Sequence, residues 1–147
     1  MWTNEKSTIL TSILTKAIIG FMIIGLFVVP LGAKWYDLVS QKEPIFIQLL
    51  VAIYLAYIPG FVMMFSLDRL LSNIRKKQVF TEQNIKYLRI ASWCCFIASI
   101  CFLVLGFWRP LSFLIFFAGI FLGLVIRVIK NTFTEALALR EENDFTI

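Results

Sequence analysis

The chain has 147 residues, of which 60% are hydrophobic and 16% charged, with a mean hydropathy of +0.86. A soluble domain carries about 25% charged residues, and a chain this short has too little interior to hide its surplus of apolar side chains, so a water-soluble globular fold is excluded. The net charge of +5 comes without a basic DNA-reading motif and without a single histidine, which argues against direct nucleic-acid binding and removes the usual proton shuttle and metal ligand.

Residues 1–8 are short and polar, and apolar residues then run from Ile9 to Leu31. That length suits a bilayer-spanning helix of about 20 residues. It exceeds the apolar core of a signal peptide, and Leu31-Gly32-Ala33 is a poor cleavage site. Lys16 can extend toward the headgroups, and Pro30 falls near the outer end of the span. Lys34 to Glu43 reads as a short polar loop, neutral because Asp37 and Glu43 balance Lys34 and Lys42. Trp35 and Tyr36 in it suit the membrane interface.

Pro44, which lacks a backbone donor, is expected to open the second span, which runs to about Phe65. Ala52, Ala56 and Gly60 recur every four residues and offer a face on which another helix can pack closely. The Pro59-Gly60 pair is expected to kink this helix, as a matter of shape rather than gating. Gln48 is the only strongly polar interior side chain.

Leu67 to Arg89 is the one long polar segment between two hydrophobic blocks. It holds Arg69, Arg75, Lys76, Lys77, Lys86 and Arg89 against only Asp68 and Glu82. Leu67, Leu70, Leu71 and Ile74 keep helical spacing, so the second helix should continue beyond the membrane. Lys76 to Val79 forms the turn. Thr81 then caps the next helix, with Phe80 and Ile85 placed for a hydrophobic staple. Leu71 and Ile74 would face Ile85 and Leu88 across this helical hairpin.

The third span runs from about Tyr87 to Phe107. Ser92, Ser99 and Gly106 recur every seven residues, as do Ala91 and Ala98, a seam for packing in a bundle. Cys94, Cys95 and Cys101 lie in this span and read as small apolar packing residues. Trp108-Arg109-Pro110 makes an outer turn, and Arg109 and Arg127 read as interfacial anchors at span ends. The fourth span, about 111–129, contains Gly119-x-x-x-Gly123, expected to pack within the chain, with a homodimer contact as the alternative. Phe133, Ala136, Leu137 and Leu139 carry the helical spacing onward into a tail (131–147) that is acidic at Glu135, Glu141, Glu142 and Asp144.

The N-terminal segment, the hairpin and the C-terminal end hold eleven of the fourteen Lys and Arg; the outer loops hold Lys34, Lys42 and Arg109. This bias points to four spans with both termini and the hairpin in the cytoplasm. The expected fold is all-α: a single four-helix transmembrane bundle with a cytoplasmic helical hairpin and a helical C-terminal extension. No Asp, Glu or His lies within a span, which argues against a coupled transporter. No catalytic, cofactor or metal motif is present.

What remains is electrostatic. Arg69, Arg75, Lys76, Lys77 and Arg89, together with Glu141, Glu142 and Asp144, are the candidate contact residues. The basic cluster can meet anionic lipid or a partner, or the acidic tail can dock on Arg75, Lys76 and Lys77.

Two stretches carry a resemblance. Ile74-Arg75-Lys76-Lys77-Gln78-Val79-Phe80-Thr81, with Asn84 and Leu88-Arg89 following, is one. Arg127-Val128-Ile129-Lys130-Asn131, then Arg140-Glu141-Glu142-Asn143-Asp144-Phe145-Thr146-Ile147, is the other. Together they resemble a bacterial membrane-protein family known as domain of unknown function 2975, whose members commonly end in Lys-Glu-Glu-Asn-Asp-Leu-Thr-Ile. Here Arg140 and Phe145 replace Lys and Leu, and Lys77 stands where members often have Gly. The resemblance implies four spans and no assigned activity or site. Genes of the family often lie beside one for a small helix-turn-helix regulator of the Cro/CI type. That neighbourhood implies a bacterial cytoplasmic-membrane protein that holds or releases such a regulator. A small-molecule transporter or permease component, for which Gln48, Ser92 and Ser99 are the only polar lining candidates, and a lipid-responsive structural or stress protein are the alternatives.

Overall fold

The computed structural model describes residues 4–40 and 43–146, with side chains from Lys6 onward. Four helices account for nearly all of it: α1 (Asn4–Ser40), α2 (Phe46–Arg75), α3 (Glu82–Gly106) and α4 (Ser112–Phe145). All four are long and apolar enough to cross a membrane, the architecture of a multi-pass membrane protein.

Helices pack in chain order, α1 on α2, α2 on α3 and α3 on α4. Each pair is antiparallel. Tyr54 reaches Leu26, Cys95 reaches Met63, and Ser92 reaches Gly123. The hairpin turn, the N-terminal end of α1 and the C-terminal end of α4 therefore lie at one end of the bundle. The central helix is α3: 39% of its apolar stretch is buried within the chain, against 11% for α1 and for α4. The uncovered apolar surface of the two flanking helices, including Phe21, Phe27, Leu31, Phe117 and Phe121, has to meet lipid or another protein.

Inside lipid every backbone group needs an internal partner, and Pro30 deprives one. It lies within α1 and has no N–H for the carbonyl of Leu26, four residues before it. Tyr54 of α2 donates its hydroxyl to that carbonyl at 2.8 Å. The α1–α2 contact is close here. A Cβ on Gly25 would run into the Tyr57 hydroxyl, and one on Gly60 would come 3.1 Å from Met22 Cε.

The first helix extends past the expected end at Leu31. Lys34 to Ser40 is helical rather than loop. The reason is tertiary: Tyr36 packs with Leu49 and Phe102 on the buried cluster of Ile45, Ala52 and Leu105, so the continuation buries surface that a loop would leave open. Lys42, counted in the neutral loop, lies outside the described residues. Pro44 does not open α2, because Ile45 is the N-cap and Phe46 the first helical residue. The buried Ile45 N–H donates to Asp37 Oδ1 at 3.1 Å, which anchors the turn to α1. On the same side, Arg109 donates through NH2 to the Glu43 carbonyl at 2.7 Å, and its guanidinium lies over the Tyr36 ring at 5.8 Å. Pro59 is buried within an unbroken α2.

Glycine and serine set the α3–α4 seam. A Cβ on Gly123 would lie 2.6 Å from the Phe96 ring, one on Gly106 2.7 Å from the Phe113 ring, and one on Gly119 would overlap Ser99 Oγ. Gly119-x-x-x-Gly123 thus faces α3 of its own chain. Ser92 donates to the Gly123 carbonyl at 2.9 Å, and Ser99 to the Cys95 carbonyl at 2.7 Å. On α2, Ala52 is buried, while Ala56 and Gly60 are half-buried.

Candidate functional site

The polar end of the bundle is built around the turn between α2 and α3. The last residues of α2 close in a Schellman arrangement. Lys77 N–H donates to the Ile74 carbonyl at 2.9 Å, and Gln78 N–H to the Asn73 carbonyl at 3.0 Å. That closure places Lys77 at φ 62°, a left-handed conformation that glycine adopts most readily.

Asn84 holds the hairpin shut. It is fully buried and all its side-chain groups are used. Its Nδ2 donates to the carbonyls of Gln78 and Val79, both at 2.7 Å, and its Oδ1 accepts from Asn73 Nδ2 at 2.8 Å. Its backbone N–H donates to Thr81 Oγ1 at 3.3 Å, the cap expected of Thr81. Phe80 meets Phe133 of α4 at 5.2 Å in an edge-on arrangement, which joins the turn to the start of the C-terminal extension.

Two cation-lined niches flank this clamp. The larger, a groove of about 540 Å³, is lined by Arg69, Lys76, Lys77 and Arg140 among polar residues that include Asn73 and Tyr87. Among the described residues no carboxylate lines it. The smaller, of about 50 Å³, lies between α3 and α4 and is lined by Arg89, Ser92, Trp93, Arg127 and Lys130.

The structure thus divides the candidate contact residues. Arg69, Lys76 and Lys77 come together, and Arg140 joins them from α4. Arg89 belongs to the other niche. Arg75 is exposed and lines neither. Glu141, Glu142 and Asp144 lie exposed on the last turns of α4, and among the described residues no ion pair joins them to the hairpin. Arg140 was legible only as a position of the C-terminal motif; its place in the groove depends on α4 running unbroken past Phe133. The association of Arg89 with Arg127 and Lys130 follows from the antiparallel register of α3 and α4.

The three polar side chains that could have lined a membrane pore do not converge. Ser92 and Ser99 are spent on backbone carbonyls. Gln48 instead borders an apolar groove between α2 and α3 with Ile47, Leu55 and Ile100. Cys95 contacts Met63 sulfur to sulfur at 3.3 Å, and all three cysteines are free.

The family model described as "Protein of unknown function (DUF2975)" matches residues 32–147. The chain belongs to this family. The match takes in the hairpin, both niches and α4, and begins within the last part of α1. No curated protein and no solved structure matches the chain.

Proposed function

We propose that this member of the family is a non-enzymatic interaction protein of the bacterial cytoplasmic membrane, with the hairpin and both termini in the cytoplasm. Its groove receives an acidic segment of a soluble partner. The partner suggested by the family resemblance is a small helix-turn-helix regulator, which the protein would hold at the membrane and release.

One observation carries the reading. Arg69, Lys76, Lys77 and Arg140 line a single groove, with no carboxylate beside them among the described residues. Four unneutralised cations repel one another, and an anionic ligand relieves that repulsion. The groove is wide and polar, which suits a peptide segment with several carboxylates better than a single small ion. The hydrogen-bonded Asn84 clamp pre-orders its walls, so little ordering cost falls on binding. The excess of cations at this end supports the cytoplasmic orientation.

Affinity capture from native membranes tests this. Wild type is compared with the reversal Arg69→Glu, Lys76→Glu, Lys77→Glu and with a chain ending after Asn131. A soluble, acidic partner should be captured by wild type, weaken with added salt, and be lost in both variants. Capture of the same proteins by all three chains would overturn the reading. Reporter fusions placing Lys76 outside the cell would do so as well.

A further inference from the structure

We propose that the niche between α3 and α4 binds the phosphate of an anionic phospholipid, with the acyl chains lying against the exposed apolar side chains below it. This site is separate from the hairpin groove and does not depend on the reading given above.

The antiparallel register brings its parts together. Ser92 pairs with Gly123 and Phe80 with Phe133. Arg89 on α3 therefore falls level with Arg127 on α4, and Lys130 lies one turn further along. All three cations line one niche with Trp93 and Ser92, and none has an ion-pair partner among the described residues. The Arg127 guanidinium lies over the Trp93 ring at 5.5 Å, which orients it without neutralising it. Ser92 has committed its proton to the Gly123 carbonyl and offers the niche only lone pairs, so the charged donors there are Arg89, Arg127 and Lys130. Donors of this kind select a phosphate, with arginine suited to two-point contact.

The choice of a lipid over a soluble phosphate rests on what adjoins the niche. Its volume of about 50 Å³ is a few times the space one water needs. It admits the oxygens of a phosphate and leaves the rest of the ligand outside. One helical turn into the membrane from Trp93 is Ile97, and one turn from Arg127 is Leu124, about half exposed each. Beyond Ile97, Ile100 is also exposed, and on α4 Ile120, two turns from Arg127 on the same face, is half-buried. A ligand that fits both parts has a negative head and apolar tails. Trp93, itself half exposed, is the ring type that settles at headgroup depth, and basic pockets between membrane helices are a known setting for anionic headgroups.

The full chain, purified in a mild non-ionic detergent, is titrated with phosphatidylglycerol or phosphatidylcholine and bound lipid is counted by native mass spectrometry. Wild type should retain phosphatidylglycerol preferentially. Arg127→Gln with Lys130→Gln should reduce that preference by about fivefold for each cation lost. Arg75→Gln with Lys86→Gln, which removes the same charge from exposed positions of the hairpin that line neither niche, should leave it unchanged. Arg89 is exposed and makes no hydrogen bond among the described residues, so Arg89→Gln is the variant least able to disturb folding and should lower the preference on its own. Equal losses in the niche and hairpin variants would reduce the effect to bulk charge and overturn the site, as would full retention in the Arg89 and Arg127 variants. A further arm adds millimolar glycerol phosphate. Lipid retention should survive it, whereas complete displacement would assign the niche to a soluble phosphate and overturn the lipid proposal.

Discussion

The Tyr54 hydroxyl donates to the Leu26 carbonyl, the same carbonyl that Pro30 leaves without its helical partner. A defect in one helix is thus repaired by a side chain from the next. In lipid no water is available to do it. Tyr54→Phe should therefore destabilise the bundle by about 1–2 kcal/mol. Pro30→Ala restores an N–H to Leu26 and should remove most of that cost. Unfolding in mixed micelles of the two single variants and the double variant measures the coupling. Equal cost of Tyr54→Phe with proline or alanine at position 30 would show the repair to be irrelevant.

Lys77 sits at φ 62°, where a side chain is strained and glycine is not. Lys77→Gly should stabilise the turn by up to about 1 kcal/mol, offset in part by the freer unfolded chain. Lys77→Val, β-branched and forced into the same conformation, should destabilise it. Lys77→Gln separates backbone from charge, since it removes the cation and keeps the strain. Melting temperatures in detergent should rank Gly above Gln and Gln above Val. A ranking that follows charge instead would contradict the geometry.

How much of this could be read from residues alone depends on the length of the signal. Four apolar blocks, the hairpin between the second and third, and the helical run beyond the fourth were all legible, because burial in lipid imposes apolar stretches too long to mistake. The Thr81 cap was legible from local pattern. The loop expected at Lys34 to Glu43 was not, because its polar residues mimic a loop while Tyr36 is held by a cluster contributed by α2 and α3. Asn84 appeared only as part of a motif; its role needs the carbonyls of Gln78 and Val79 brought within reach by a left-handed residue. Arg140 and Arg127 lie far in sequence from the cations they join, and no local pattern encodes that meeting.

The seam between α3 and α4 separates two meanings of Gly119-x-x-x-Gly123. A Cβ on Gly119 would strike Ser99 Oγ, and one on Gly123 would strike the Phe96 ring. Gly119→Ala and Gly123→Ala should each cost about 1–3 kcal/mol through overpacking. Ser99→Ala should recover part of the Gly119→Ala loss and none of the Gly123→Ala loss. A Cβ added at Gly20 or Gly32 would meet nothing within 4 Å, so alanine there should be neutral or mildly stabilising. Light scattering in detergent supplies the contrast. If alanine at 119 or 123 altered the oligomeric state while leaving unfolding unchanged, the motif would belong to a second copy rather than to α3.

Asn84 is the residue on which the shape of the basic groove depends. Replacing it with alanine leaves the carbonyls of Gln78 and Val79 and the amide of Asn73 without their partner, roughly 1–3 kcal/mol for each group that water cannot reach. The clamp spans the turn, so the loss should appear there first. Trypsin should cut Asn84→Ala after Lys76 or Lys77 at protein concentrations and times that leave wild type intact. Asn84→Asp keeps the acceptor for Asn73 but has no protons for the two carbonyls, so it should be cut nearly as fast. Four helical spans would survive in both variants, because the apolar blocks are untouched, and membrane insertion should be normal. Loss of the groove's ligand in Asn84→Ala, with insertion intact, would tie binding to the shape of the hairpin. Digestion as slow as wild type would mean that α2 and α3 hold the turn through their apolar contacts alone, leaving the asparagine a satisfied but dispensable buried group.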